Sequence, residues 1–281
     1  MLTKHPTEQM EALPARRPEQ EEGRGEGPSA VVDLSVIVPA FNEHHRLGPT
    51  LDALQVHLNA EGRRYEVLVV DDGSSDETAA LVSSFAAGWP ELQLLGLDSN
   101  QGKGAAVRLG MLAAHGRLRL FSDADLSTPM SEMAKLEAEI SSGADIAIGS
   151  RALPQSRVEV HQSVYRERMG RVYNLVLRQT VLPTLRDTQC GFKLFTAAAA
   201  EFTFGELACR RFGFDAEVLL RASLAGLKVA EVGVVWRNAE GTRVNSMRDS
   251  FQMLVDIWRL RRRLRRGPAR PRSISKRHNP G

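Results

Sequence analysis

Residues 118–125, Leu118-Arg119-Leu120-Phe121-Ser122-Asp123-Ala124-Asp125, read as a short apolar strand ending in two carboxylates one residue apart. Carboxylates at the C-terminal end of a strand stand where open α/β sheets bind their ligands. Positions i and i+2 of a strand share a face, so strand geometry carried to the end would bring Asp123 and Asp125 together. Two carboxylates about 5 Å apart repel by roughly 3 kcal/mol at an effective dielectric near 20. A divalent cation carrying a phosphate relieves that repulsion, since Mg²⁺ is held by one or two carboxylates plus substrate oxygens. An isolated Asp-x-Asp is also short enough to be a solvated acidic turn, so its meaning depends on the rest of the chain.

The 281 residues allow one large α/β domain or two small ones. Hydrophobic residues at 42% and charged residues at 25% are ordinary for a globular protein. Two cysteines, Cys190 and Cys209, make neither a disulfide framework nor a zinc site and suit a reducing cytosol. No apolar run reaches the ~18 residues of a membrane span, and the N-terminus carries no signal-peptide core. The net charge of +3 is uneven: ten basic and no acidic residues follow Asp256, which leaves −7 for the rest.

Residues 1–32, rich in Glu, Pro, Arg and Gly, predict a disordered arm. The compact apolar runs 34–39 and 65–70 predict buried parallel strands. Between them Leu47, Leu51, Leu54 and Leu58 mark one helix face. Ser74 and Glu77 are spaced as a capping box for the next helix. A weaker strand at 92–95, a helix opening at 100–104 and running to about His115, and the acidic strand follow. Thr128 predicts an N-cap with Pro129 in the first helical position. A fifth strand, 145–151, ends in Arg151. This βα alternation over 33–151 predicts a doubly wound, mainly parallel sheet. Beyond it the pattern predicts a helix over about 160–182 with Tyr165, Met169, Val172, Leu175 and Val176 as its apolar residues. A polar loop at 187–193, a helix around 214–225 and a strand at 229–236 complete the globular part.

The topology places Asn42-Glu43, Asp71-Asp72, Lys103 and the Asp123/Asp125 pair on one sheet edge. Acids at the first two strand ends can accept from a base N–H or ribose hydroxyls. Gly102 and Gly104 permit close backbone approach beside a helix N-terminus, which favours anions, and Lys103 adds a point charge. Gly-Lys-Gly lacks the full Walker spacing, and taken alone it is explained better by a solvated lysine. No Gly-x-Gly-x-x-Gly follows the first strand, which argues against a dinucleotide oxidoreductase.

Several segments together resemble the family 2 inverting glycosyltransferases of GT-A fold: 36–43, 69–74, 100–104, 122–129, 149–151, 186–195 and 212–217. The later ones look like the dolichyl-phosphate glucosyltransferase branch, close kin of the dolichyl-phosphate mannose synthases. The resemblance implies a Rossmann-like, mainly parallel α/β sheet with an acceptor-side α+β extension, the whole spanning 33–245. It also implies roles for individual residues. Pro39, Glu43, Asp71 and Asp72 match the pocket for base and ribose, and Lys103 a residue near the nucleotide. Asp123 matches the acid that contacts the sugar nucleotide, and Asp125 the acid that binds Mg²⁺ or Mn²⁺. Ser127 stands where the mannose synthases carry a metal-approaching glutamine. Arg151 and Arg171, with Arg166 as a further candidate, resemble the arginines that receive the lipid phosphate. Arg243 resembles a basic residue folding over the diphosphate.

The implied reaction moves a hexose from a nucleotide sugar to a polyprenyl phosphate. An acceptor that is already an anion needs no strong general base, so positioning by arginines can dominate. UDP-glucose is the expected donor, with GDP-mannose or a non-lipid acceptor as alternatives. A non-catalytic membrane-bound scaffold is the reading outside enzymology, and the intact acids, Lys103 and Arg151 argue against it. Residues 246–281 combine Phe251, Leu254, Val255 and Trp258 at helical spacing with six arginines over 259–266. They predict an amphipathic basic helix and tail that attach the protein to anionic lipid at the cytoplasmic face of a membrane, or else a solvated helix end. Nucleic acid is not an expected partner, because the tail has no interleaved aromatics or known module.

Overall fold

The computed structural model describes residues 31–160, 164–180 and 182–238. The first part of the chain alternates strand and helix: β1 (Leu34–Ala40), α1 (His44–Glu61), β2 (Tyr65–Asp71), α2 (Thr78–Ala86), β3 (Leu92–Gly96), α3 (Lys103–Ala113), β4 (Leu118–Ser122), α4 (Met133–Ser141) and β5 (Ile146–Ser150). Then come β6 (Arg157–Val160), α5 (Val164–Thr180), β7 (Phe192–Thr196), α6 (Ala197–Gly205), α7 (Phe214–Leu224), β8 (Val229–Gly233) and β9 (Val235–Arg237). The expected basic segment 246–281, Arg243, and the expected arm apart from Val31 and Val32 lie outside the described residues.

Seven strands form the main sheet in the order β3-β2-β1-β4-β7-β5-β8. β1 pairs in parallel with β2 and β4, and β2 with β3, so their C-terminal ends open on one edge as expected. β7 runs antiparallel between β4 and β5. The sequence offers Phe192–Thr196 only as the apolar end of a polar loop. It is instead the strand that joins the β3-β2-β1-β4 part of the sheet to β5 and β8.

The apolar runs are continuous because both sheet faces are covered. Along β1, Val36 and Val38 face a core that includes Leu47, Leu51, Leu54 and Leu58 of α1 and Leu136 of α4. Ile37 between them faces a second core that includes Val107 and Met111 of α3 and Phe204 of α6. Period-2 alternation thus feeds two helical layers from one strand.

Several local expectations need correction. β4 stops at Ser122, and the Leu126 N–H returns to the Asp123 carbonyl at 3.1 Å. Asp123 and Asp125 therefore stand on a turn, and the shared-face argument for a strand does not apply. α2 begins at Thr78, past the expected box: Ser74 donates to Asp71, while Asp76 Oδ1 accepts from the Thr78 amide at 3.0 Å. Asp76 wins because its shorter span to Thr78 closes an Asx turn. The Thr128 hydroxyl faces Cys190 Sγ at 3.8 Å instead of capping, and a 3₁₀ turn at Met130–Glu132 precedes α4. Among the described side chains of α5 the buried ones are Tyr173 and Leu177, whereas Val172 and Leu175 are about half exposed at 54% and 51%; the expected Tyr165 and Met169 side chains lie outside those described. The expected strand 229–236 divides at Val234: β8 pairs with β5, and β9 pairs with β6 in a separate two-stranded ribbon.

Leu51 is fully buried between α1 and β1. Leu51→Ala is expected to cost about 2–5 kcal/mol of stability through lost burial and the residual cavity. Urea unfolding should show a lower midpoint with an unchanged slope.

Candidate active site

Asp123 stands at the centre of the charged edge. Its amide donates to the Gly191 carbonyl at 3.0 Å, and Thr50 Oγ1 of α1 donates to the next carbonyl, Ala124, at 2.7 Å. The acidic turn is thus pinned by the residue preceding β7 and by α1. A Cβ added to Gly191 would fall 1.9 Å from Asp123 Oδ2, so the carboxylate occupies the space that any side chain at 191 would need.

Lys103 Nζ, at the start of α3, donates to Asp123 Oδ1 at 2.5 Å. Burial works against the ammonium, but Asp123 and Asp215 outweigh it and hold its pKa above the ordinary lysine value. Lys103 is therefore not the solvated lysine that its motif also allowed. Burial, then the Asp123 charge, push Asp125 above the usual carboxylate range, against the pull of Ser127 and Arg46. The Ser127 amide donates to Asp125 Oδ1 at 3.0 Å. The structure thus brings together Asp123, Asp125, Ser127 and Lys103, with Arg46 beside them.

The acids of the first two strand ends share this edge, and each has a partner within the chain. Glu43 binds Arg46 through both carboxylate oxygens, and its own amide donates to Thr78 Oγ1 at 2.8 Å. Asp71 Oδ1 accepts from the Ser74 amide at 3.1 Å. Asp72 accepts from the amides of Gln101 and Gly102 at 2.7 and 2.8 Å. Pro39 lies buried in β1, opposite Val70. The close approach allowed by Gly102 (φ 103°) and Gly104 is made by the chain itself. Added Cβ atoms would lie 2.6 Å from the Arg210 carbonyl oxygen and 2.5 Å from that of Cys209. Glu217 shapes that 208–210 segment by accepting from the Ala208 and Cys209 amides at 3.0 and 2.8 Å.

Arg151 leaves β5 on the other side of Asp123. Its Nε and Nη2 grip the Asp187 oxygens at 2.7 and 2.9 Å, and its guanidinium lies 5.4 Å from the Trp236 ring centroid. Burial would raise Asp187, but the Arg151 charge and hydrogen bonds bring it down to about 2. Glu231 holds the same loop by accepting from the Arg186 and Asp187 amides at 2.9 and 2.8 Å. Burial pushes the Cys190 thiol up to about 11, which disfavours the reactive thiolate. Arg171 is exposed on α5, Arg166 lies on α5 with its side chain outside those described, and Arg243 lies outside the described residues.

Sequence reasoning missed four contributors. Arg46 and Gly191 give no signal of their own. Asp187 reads from the sequence only as part of a polar loop. Lys193 did give one, as a cation inside the apolar run Phe192–Phe195: its ammonium is buried and donates to Asp215 Oδ1 at 2.5 Å.

Residues 35–204 match the family described as glycosyl transferase family 2. The chain belongs to that family.

Within it, the chain is 36% identical over 261 residues to a dolichyl-phosphate beta-glucosyltransferase of Drosophila melanogaster, covering 88% of this chain and 80% of that one. It is 34% identical over 248 residues to the Homo sapiens protein of the same name, covering 84% and 76%. Among solved structures, glucosyl-3-phosphoglycerate synthase from Mycobacterium tuberculosis, crystallised with Mn²⁺ and UDP-glucose, superposes with a TM-score of 0.62 at 18% identity. That superposition covers 82% of this chain and 79% of the synthase. The likeness is one of fold and agrees with the GT-A expectation. The protein is a glycosyltransferase, and its charged edge is the candidate active site of the family.

Two predictions follow from this geometry. Gly191→Ala should displace the Asp123 carboxylate and lower glycosyl transfer by about 100-fold or more, in keeping with the ~10²-fold cost of a 1 Å misplacement. Its melting temperature should change less than that of Leu51→Ala. The second concerns acid stability. Because the folded pKa of Asp187 lies below its unfolded value, its contribution is present above pH ~4 and is lost as pH falls towards 2. That contribution is about 2 kcal/mol. In Asp187→Asn, the loss of unfolding free energy between pH 4 and pH 2 should be smaller by about that amount.

Proposed function

We propose that this glycosyltransferase moves glucose from UDP-glucose to a polyprenyl phosphate, with inversion, in the presence of Mg²⁺ or Mn²⁺. The observation that carries the reading is the similarity to dolichyl-phosphate beta-glucosyltransferases across 88% of the chain. Beside it stands a pair of acids whose surroundings suit a metal–diphosphate.

The donor set fits a divalent cation. Two carboxylates on one turn are too few for a closed protein cage, and among the described residues no third acid, histidine or cysteine joins them. That is the arrangement expected where substrate phosphate oxygens complete the coordination of Mg²⁺ or Mn²⁺. Asp125 and Asp123 would hold the cation, with Ser127 orienting Asp125 rather than ligating. Bound there, the cation supplies Lewis-acid stabilisation of the departing nucleoside diphosphate. Lys103 contributes a positive charge on the same side. Glu43, Asp71, Asp72 and Pro39 frame the nucleotide pocket, and Arg243 is the candidate for a cation closing over the phosphates.

The acceptor arrives as an anion and attacks in line, so no side chain has to remove a proton from it. Arg151 is the candidate for its phosphate. Asp187 orients the guanidinium through Nε and Nη2 and leaves Nη1 available. Arg166 and Arg171 are the further candidates on α5. Residues after Trp258, with their arginines, would hold the enzyme peripherally on anionic lipid at the cytoplasmic face. Among the described residues no helix is long and apolar enough to cross a membrane.

One experiment tests the whole reading. The protein is incubated with Mn²⁺, polyprenyl phosphate in anionic vesicles, and labelled UDP-glucose or GDP-mannose. Label is expected in the organic phase from UDP-glucose, lost in Asp125→Ala and reduced when residues after 258 are removed. No lipid product from either donor would overturn the proposal. Product from GDP-mannose alone would reassign the donor.

A further inference from the structure

Four charges of alternating sign run inward from the acidic turn: Asp123, Lys103, Asp215 and Lys193. The outer ion pair, Lys103–Asp123, and the inner one, Lys193–Asp215, each close at 2.5 Å. Both ammonium groups sit over Phe121, at 5.3 and 5.6 Å from its ring centroid. The inner pair is fixed: Lys193 is 2% exposed and also donates to the Cys190 carbonyl at 2.5 Å. The outer pair is different. Lys103 reaches Asp123 on a long side chain that is 27% exposed, and it also lies within the electrostatic reach of Asp215.

Asp123 therefore already carries a cation where a second one would bind. A divalent ion and an ammonium cannot both sit against one carboxylate without strong mutual repulsion. We propose that Lys103 is an exchangeable counter-ion: it neutralises Asp123 before the donor arrives, gives up that carboxylate to the divalent cation, and turns its charge to the incoming diphosphate. Asp215, itself held by Lys193, limits how far Lys103 withdraws. The four positions thus couple metal binding to nucleotide binding. Metal alone must displace Lys103 without compensation, whereas metal with a diphosphate gives Lys103 a new partner. The inference rests on the metal-dependent reading above.

Mn²⁺ binding to the full chain, read by the loss of free-ion paramagnetic resonance, tests the idea with and without UDP. Wild-type protein is expected to bind Mn²⁺ weakly alone and more tightly with UDP. Lys103→Gln should bind Mn²⁺ alone about tenfold tighter or more, the equivalent of ~1.4 kcal/mol. It should also bind UDP less tightly, so that the coupling between the two ligands shrinks. Lys103→Arg, which keeps the cation, should resemble wild type without nucleotide. Unchanged or weaker Mn²⁺ binding by Lys103→Gln, while wild type binds Mn²⁺ with UDP, overturns the exchange and leaves the metal-dependent reading intact. Wild type that binds no Mn²⁺ even with UDP overturns both. A measurement on the unmutated chain guards against a folding defect in the variants. Saturating Mn²⁺ should raise acetylation of Lys103 severalfold in mass spectra, with buried Lys193 as the unreactive reference. Unchanged labelling of Lys103 overturns the proposal.

Discussion

The Asp123 carboxylate lies against the α-carbon of Gly191 and in the ion pair with Lys103, and the charged edge is arranged around that position. Its charge acts on Arg46, Lys103, Asp125, Arg151 and Asp215, which come from widely separated parts of the chain. Such a hub requires the edge to be assembled before any one pair has meaning. β1, β2 and β4 supply it by running in parallel side by side, and the loop entering β7 supplies the space by presenting Gly191 where a side chain would collide. The acids of β1 and β2 add to this frame. Glu43 holds Arg46, and Asp72 holds the turn that starts α3 and so fixes where Lys103 begins.

Much of this was legible in the sequence, because buried parallel strands announce themselves as continuous apolar runs and their polar ends as loops. The order of β1 to β5 and the shared edge of Glu43, Asp72, Lys103 and Asp123 needed only the topology rule for βα units. What escaped was non-local. β7 pairs antiparallel with β4 and β5, two strands distant from it in the chain, and nothing in its five residues states that partner. The glycines of Gly102-Lys103-Gly104 were legible as a close approach, but the thing that approaches, the 209–210 carbonyls, comes from a loop a hundred residues away. At Val172 and Leu175 the α5 stripe failed for a related reason. Spacing finds apolar positions but not the neighbour they face, and the helix turns Tyr173 and Leu177 inward instead of Val172 and Leu175.

Arg151 illustrates how a site residue and a structural residue can be the same one. Holding a strand end and receiving a phosphate make competing demands on one side chain. The geometry joins them: the Arg151 amide and two guanidinium nitrogens all bind Asp187, which fixes the side chain in a bidentate fork beside Trp236. A guanidinium held in this way loses less freedom on meeting an anion than one that must first be ordered. The tight hold of Asp187 is thus compatible with a binding role for Arg151, provided one nitrogen remains turned outward.

The Lys193–Asp215 pair sharpens the same point from the energetic side. Taking two charges out of water costs several kcal/mol per ion, and their mutual attraction only roughly offsets it. Phe195, two residues on and so on the same face of β7, shows that this side of the strand accepts a large apolar side chain. An apolar pair at 193 and 215 would therefore serve the fold at least as well as the ions do. The ions differ from such a pair in the field they project outward, which reaches Lys103 and, through it, Asp123. Stability alone does not account for charges in that place. A role in setting the electrostatics of the acidic turn does, and it ties the innermost charge of β7 to the carboxylate at the end of β4.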